Sequence, residues 1–299
     1  MTPHRQSTLS NLRIRLRAVA VGLIVVGAAI FFSVGTSAEA KDRPYLALGD
    51  SVVFGYITQA GFEYVNPNNF VGYPSYADAA LRLDAANAAC PGEATSGFIS
   101  SLGADNGCRL FRASFPLHVA YTSTQLDFAT RFLQANPSTR LVTIGLGAND
   151  IFLLQQACFG NPNPPVCFAT GLSQVLATIR SNMDTILSSL RATGFQGVLM
   201  VVNYYSLDYT DPAGTGITVL LNQAITAPAA VHGAVVADVF TAFQAASIAS
   251  GKPCRAGLLN ASPQNQFTCD VHPSQSGQQL LAATVEGAYR AALAGAGDD

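Results

Sequence analysis

The stretch "PYLALGDSVVFGY" (residues 44–56) decides how this chain is read: a short apolar run that stops abruptly at Gly49-Asp50-Ser51. A near-continuous apolar run is the pattern of a strand buried on both faces, as in a parallel sheet. The tripeptide after it is, by itself, ordinary turn chemistry. Gly tolerates unusual dihedrals, and Asp and Ser bond their own backbone. Whether Ser51 is more than a turn residue depends on what the rest of the chain supplies.

Three further apolar, β-branched runs follow: "RLVTIGL" (140–146), "GVLMVVN" (197–203) and "AVVADVF" (234–240). Helix-like segments lie between them, at residues 75–89, 123–134, 172–193, 217–229 and 274–294. This alternation of strand and helix predicts an α/β layer fold with a central parallel β-sheet flanked by helices. "NPNPP" (161–165) and "DPAGTG" (211–216) read as surface loops. There is no internal repeat and no composition break. In open α/β sheets, sites form beyond the carboxyl ends of the strands, which is where Ser51 falls.

Residues 1–40 have a different character. Arg5, Arg13, Arg15 and Arg17 precede an apolar stretch from Ala18 to about Val34, and Ala38-Glu39-Ala40 follows. A positive start, a greasy middle and a small-residue exit describe a secretory signal peptide, with cleavage expected after about Ala40. An uncleaved membrane anchor is the alternative reading of the same stretch. Residues 41–299 are then expected to form one large domain. Four of the 16 basic residues and one of the 18 acids lie in the leader, which leaves the remainder at a net charge of −5. A mildly acidic chain without a Lys/Arg cluster argues against nucleic acid and anionic membranes as partners. No obligate protein partner is indicated. Only 11% of residues are charged, against roughly 25% in typical domains.

Six cysteines in a secreted chain point to disulfides. They fall into three sequence-local pairs: Cys90 with Cys108, Cys158 with Cys167, and Cys254 with Cys269. A zinc site is not expected, because no C-x-x-C occurs and the spacings do not match. A phosphate site is not expected either, because no Gly-rich loop carries a Lys.

Beyond the leader only three histidines are candidates for a base. His118 and His232 lie in or beside apolar segments and read as structural. His272, in "TCDVHPSQSGQQL", reads as a loop residue at a helix entrance with Asp270 nearby, which are the parts of a general base. Gly147-Ala148-Asn149-Asp150 follows a predicted strand. There Asn149 or Asp150 either caps the next helix or, in the case of Asn149, offers its amide to an oxyanion. "NAACPGEATSG" (87–97) offers a Cys-Pro-Gly turn after a helix.

Taken together, Gly-Asp-Ser, the Gly turn, Gly-x-Asn-Asp and His-Pro, in that order, resemble the SGNH (GDSL-type) hydrolases over nearly all of residues 41–299. "NAACPGEAT" is similar to the secreted bacterial branch of that superfamily. The resemblance implies a three-layer flavodoxin-like fold and a serine carboxylic ester hydrolase, an esterase or lipase, that works through an acyl-serine without metal or cofactor. It implies Ser51 as nucleophile and His272 as base. The oxyanion hole it implies comes from the backbone N–H groups of Ser51 and Gly92 and the amide of Asn149. The pattern breaks at one place. The superfamily's acid stands three residues before the base, which here is Cys269, with Asp270 one residue closer. Either Asp270 reaches the imidazole through a local turn, or a backbone carbonyl near Cys269 orients it. G-x-S-x-G is absent, since Val53 lies two residues after Ser51, so the sharp strand-to-helix elbow of the α/β-hydrolases is not expected.

The expected substrate is a lipid or small-molecule acyl ester. An acyltransferase or a carbohydrate O-acyl esterase are the enzyme alternatives, and a non-catalytic cell-envelope binding protein is the alternative of another class. Each cysteine pair abuts one of the four blocks, which suggests that the bridges preorganise the site loops.

Overall fold

The computed structural model describes residues 43–58, 61–265 and 268–295. The leader read in residues 1–40 lies outside the described residues. In chain order the elements are β1 (Pro44–Gly49), α1 (Ser51–Phe54), α2 (Tyr73–Leu81), β2 (Asp84–Asn87), α3 (Thr95–Ile99), α4 (Cys108–Ser114) and α5 (Gln125–Ala135). They continue with β3 (Leu141–Gly145), α6 (Ala148–Cys158), α7 (Pro164–Ala192), β4 (Val198–Val202), α8 (Pro212–Thr226), β5 (Ala234–Ala237) and α9 (Val239–Ala246). β6 (Leu259–Ala261), β7 (Cys269–Pro273) and α10 (Gln275–Gly295) close the chain.

β1 to β5 form one parallel sheet in the order β2-β1-β3-β4-β5. This is the flavodoxin-like doubly wound order, whose switch point lies between β1 and β3. Successive strand side chains go to opposite faces. Tyr45 and Ala47 of β1 therefore pack on one side with residues of α2, α9 and α10, and Leu46 and Leu48 pack on the other with α3, α5, α7 and α8. β3 and β4 split their apolar residues in the same way. Two buried faces explain why these strands read as continuous apolar runs.

Four of the stretches read from the sequence take a different form. Residues 75–89 do not form one helix: α2 stops at Leu81, Arg82 takes a left-handed φ of 55°, and residues 84–87 pair with β1 as β2. "DAAN" has no β-branched residue, so only the edge of β1 makes it a strand. "NPNPP" is loop only in part, because Pro164 and Pro165 open α7 behind the Asn163 cap. "DPAGTG" is the start of α8, with Asp211 as N-cap and Pro212 in the first turn. β5 ends at Ala237, because Asp238 turns the chain into α9.

Where β1 ends, its backbone needs partners. Gln125, fully buried in the first turn of α5, supplies them: the Gly49 N–H donates to its Oε1 at 2.6 Å, and its Nε2 donates to the Gly49 carbonyl at 3.1 Å. Replacing Gln125 by Leu strands the buried Gly49 N–H, at about 1–3 kcal/mol for an unsatisfied group, while the Gly49 carbonyl keeps the Cys90 N–H at 3.0 Å. We expect Gln125→Leu to lower unfolding free energy by roughly 1–3 kcal/mol in urea titration; a change within the range of ordinary surface substitutions contradicts the clamp.

Candidate active site

Ser51 owes its position to the two residues before it. Gly49 has a φ of 142°, and a Cβ there would lie 2.0 Å from the Gly145 carbonyl oxygen at the end of β3. Only glycine lets the two strand ends meet this closely. Asp50 then caps α1, its Oδ1 accepting the Val52 N–H at 2.9 Å. The chain therefore does turn sharply from strand to helix at the serine, contrary to the expectation drawn from the absent G-x-S-x-G. Here the unusual backbone sits two residues before the serine. Asp50 Oδ2 accepts the Tyr204 hydroxyl at 2.5 Å. Burial pushes the Asp50 carboxyl up to about 6, against the opposing hydrogen bonds from Tyr204 and Val52.

His272 lies in β7 of a small antiparallel ribbon with β6, not in a loop. The difference decides its geometry. In a strand, residues two apart share a face, so Asp-x-His puts both side chains together without any turn. His272 Nδ1 lies 2.8 Å from Asp270 Oδ2, and Nε2 lies 3.0 Å from Ser51 Oγ. The carboxylate, and not the Cys269 carbonyl, faces Nδ1. The Tyr205 hydroxyl donates to the Val271 carbonyl at 2.6 Å, and the Cys254–Cys269 bridge ties down the start of the strand. Thr58, which sequence reasoning missed, donates its hydroxyl to Asp270 Oδ2. Partial burial raises the Asp270 carboxyl. The hydrogen bond and charge of His272, with the bonds from Thr58 and the Val271 N–H, outweigh it and hold the group below its ordinary value.

The second side of the site is the Cys90–Glu93 turn, closed by the Glu93 N–H on the Cys90 carbonyl at 3.0 Å. Pro91 followed by Gly92 at φ 85° is the sequence of a type II turn. It follows β2, where a helix was expected. A Cβ on Gly92 would meet the Asn106 carbonyl oxygen at 2.4 Å. Asn149 sits in the first turn of α6, whose N-cap is Gly147, so neither Asn149 nor Asp150 caps that helix. Asn149 Nδ2 donates to the Glu93 carbonyl at 2.9 Å. Asp150 reaches across to α3 and accepts the Thr95 N–H at 3.0 Å and its hydroxyl at 2.6 Å. That satisfies a helix N-terminus other than its own.

Ser51, Gly92, Asn149 and His272 all line one cavity of about 820 Å³. Asp270 stands behind His272, outside the lining. His118 and His232 lie elsewhere: His118 Nε2 is 3.0 Å from the Phe54 carbonyl oxygen, and His232 pairs with Asp184 at 2.8 Å. The expected disulfides are present, as Cys90–Cys108, Cys158–Cys167 and Cys254–Cys269.

Residues 47–280 match the GDSL-like Lipase/Acylhydrolase family, a span that contains every one of these site residues. The chain belongs to that family. Like the family, it is a carboxylic ester hydrolase. No curated protein matches it. Among solved structures it is similar to an extracellular lipase from Streptomyces rimosus, at 19% identity and a TM-score of 0.55, covering 82% of this chain and 99% of that one. It is also similar to a phospholipase A1 from Streptomyces albidoflavus, at 23% identity and a TM-score of 0.50, covering 85% and 98%. A third is an acetyl xylan esterase from Geobacillus stearothermophilus, at 14% identity and 0.51, covering 83% and 94%. At these identities the likeness establishes the shared fold.

The GDSL-like fold here buries a second acid beside the turn. Glu93 is 3% exposed, its Oε2 3.4 Å from Gln125 Nε2. Burial, reinforced by Asp105 and opposed by Arg112 and Gln125, pushes its carboxyl from an ordinary 4.5 up to about 8. Between those values the unfolded chain has lost the proton that the folded chain keeps, so this group makes stability fall as pH rises. We expect Glu93→Gln to gain stability relative to wild type as pH goes from about 5 to 8, by up to about 1.4 kcal/mol per pH unit. Urea titrations of both proteins across that range check it; a constant difference contradicts a protonated Glu93.

Proposed function

We propose that this chain is a secreted serine hydrolase that cleaves lipid acyl esters through an acyl-serine intermediate. The observation that carries the reading is the continuous line from Asp270 through His272 to Ser51, at 2.8 Å and 3.0 Å, on the wall of an apolar cavity. A serine hydroxyl is a weak nucleophile until a base takes its proton. In the proposed reaction Ser51 Oγ attacks the carbonyl carbon and its proton passes to His272 Nε2. Asp270 holds the Nδ1–H and stabilises the imidazolium. The oxyanion is received by the N–H groups of Ser51 and Gly92 and by the Asn149 amide. Collapse of the tetrahedral adduct expels the alcohol, which takes the proton from His272. Water, activated by the same histidine, then releases the acid and restores Ser51.

The cavity argues for the acyl class. Leu110, Phe111, Phe115, Phe152, Ile217 and Leu221 line it and suit a hydrocarbon chain. Ser206, Asp208 and Thr218 also line it and suit an alcohol portion that carries hydroxyls. Secretion is supported by the leader pattern and by three disulfides, which persist in oxidising compartments. Among the described residues no helix is long and apolar enough to cross a membrane.

Ser51→Ala is expected to abolish turnover and covalent labelling by a fluorophosphonate, with the fold retained by circular dichroism. Labelling that persists in Ser51→Ala excludes this nucleophile. Asp270→Ala is expected to lose about 10²–10⁴ in kcat; near-normal turnover eliminates the carboxylate from the reaction. With nitrophenyl esters of increasing chain length, kcat/KM is expected to rise by up to about fourfold per methylene until the cavity is filled. A preference for acetate over every longer ester contradicts the lipid reading.

A further inference from the structure

We infer that Asn106 is the positioning residue of the oxyanion hole and that, with Gln156, it forms a one-way relay of amide dipoles aimed through Asn149 at the oxyanion. The inference rests on the proposed role of Asn149 as an oxyanion donor. It begins from a group whose polarity is beyond choice. The Glu93 carbonyl only accepts, and it lies 2.9 Å from one end of the buried Asn149 amide. That end must be Nδ2, so the other end is Oδ1 and needs a donor. Asn106 lies 2.9 Å away from Oδ1 and must therefore present its own Nδ2 there. This turns Asn106 Oδ1 toward Gln156 at 2.8 Å, which must in turn donate through Nε2. One backbone carbonyl thus sets the direction of all three amides.

The consequence is chemical. Asn149 Nδ2 carries two hydrogens, of which the Glu93 carbonyl takes one. The second is left for the cavity that Asn149 lines. Each amide in the chain donates toward the next, Gln156 to Asn106 to Asn149. Hydrogen bonds that run head to tail polarise one another, so negative charge developing on the substrate carbonyl meets a donor already polarised toward it. Without Asn106, only the Glu93 carbonyl is left to hold the Asn149 Oδ1 away from the cavity. An amide turned the other way would present oxygen to the oxyanion.

Asn106 is also fixed to the other side of the hole. Its backbone N–H donates to the Gly92 carbonyl at 2.7 Å, and the Cys90–Cys108 bridge closes the loop that carries Gly92 and Asn106 together. The backbone bond survives any substitution at position 106. Side-chain variants therefore isolate the relay from the turn.

The test compares kcat and KM on a short nitrophenyl ester for Asn106→Ala, Asn106→Asp, Gln156→Ala and Asn149→Ala, and for each of the first three combined with Asn149→Ala. Asn106→Asp is isosteric and keeps the acceptor for Gln156, but sets a carboxylate oxygen against Asn149 Oδ1 and so favours the turned amide. A purely structural side chain is damaged more by truncation than by an isosteric change. The relay predicts the reverse. Asn106→Asp should lose about 10- to 100-fold in kcat, more than Asn106→Ala, with KM unchanged, compared with the roughly 10²–10³-fold typical of deleting an oxyanion donor outright. Both losses should vanish in the Asn149→Ala background. Equal or milder damage in Asn106→Asp than in Asn106→Ala, or undiminished losses in that background, overturns the relay. Gln156 is exposed on α6, so Gln156→Ala carries the test if the Asn106 variants do not fold. It should lower kcat about threefold alone and not at all on top of Asn149→Ala; wild-type kcat in the single variant overturns the inference. If Asn149→Ala is fully active, the oxyanion reading itself fails. If it is crippled while Asn106→Asp is not, only the relay fails.

Discussion

The parallel sheet ends in buried backbone, and everything at its carboxyl edge depends on how those N–H and C=O groups are satisfied. An unpaired buried backbone group costs as much as a lost hydrogen bond, and neighbouring backbone satisfies only part of them, as where the Cys90 N–H meets the Gly49 carbonyl. In this chain buried amide side chains do the pairing. Gln125 holds both polar groups of Gly49 at the end of β1, and Asn222 holds both of Tyr204 just after β4. Asn87 takes the Val53 carbonyl and the Ala89 N–H, and Gln278 takes the Tyr73 N–H and the Val52 carbonyl. An amide suits this role because it offers a donor and an acceptor together and carries no charge to desolvate. A chain with few charged residues can build a rigid site edge in this way.

The acids that remain are divided by their surroundings. Asp50 and Glu93 are enclosed and pushed toward the protonated state, whereas Asp270, partly buried and bonded to an imidazole, is held ionised. The carboxylate facing His272 is therefore the one that keeps its charge. The buried pair faces other groups: the Asp50 carboxyl caps the short helix that presents Ser51, and the Glu93 carboxyl lies against the Gln125 amide. The division follows from burial and partners, since all three are simple carboxyls with similar ordinary values.

Much of the architecture was legible because its signals are local. Runs such as "RLVTIGL" have the pattern of doubly buried strands, and the long periodic stretches became α5 and α10 with small shifts at their ends and α7 with a start eight residues earlier than read. The misreadings came where a distant partner overrode local preference. "DAAN" is a strand only because the edge of β1 accepts it. Pro164 and Pro212 open helices because Asn163 and Asp211 cap them, so that proline marks a start where it was taken for a loop. The candidate site residues were read from four short blocks. Thr58, Tyr204 and Asn106 carry no motif, and they meet the site only through the fold.

By itself the sequence determined the alternation of elements and the sequence-local cysteine pairs, since these follow from composition and near-neighbour pattern, and it nominated candidate site residues through a family resemblance. Only the tertiary structure decided how Asp270 meets His272. Asp270 and His272 are two apart, a spacing that in a loop leaves their orientation open. The strand β7 puts them on one face, because side chains there repeat every second residue. The polarity of Asn149 was likewise invisible in the chain. It is set by a carbonyl 56 residues away in sequence, and a hydrogen bond acquires its direction only when donor and acceptor are brought within reach.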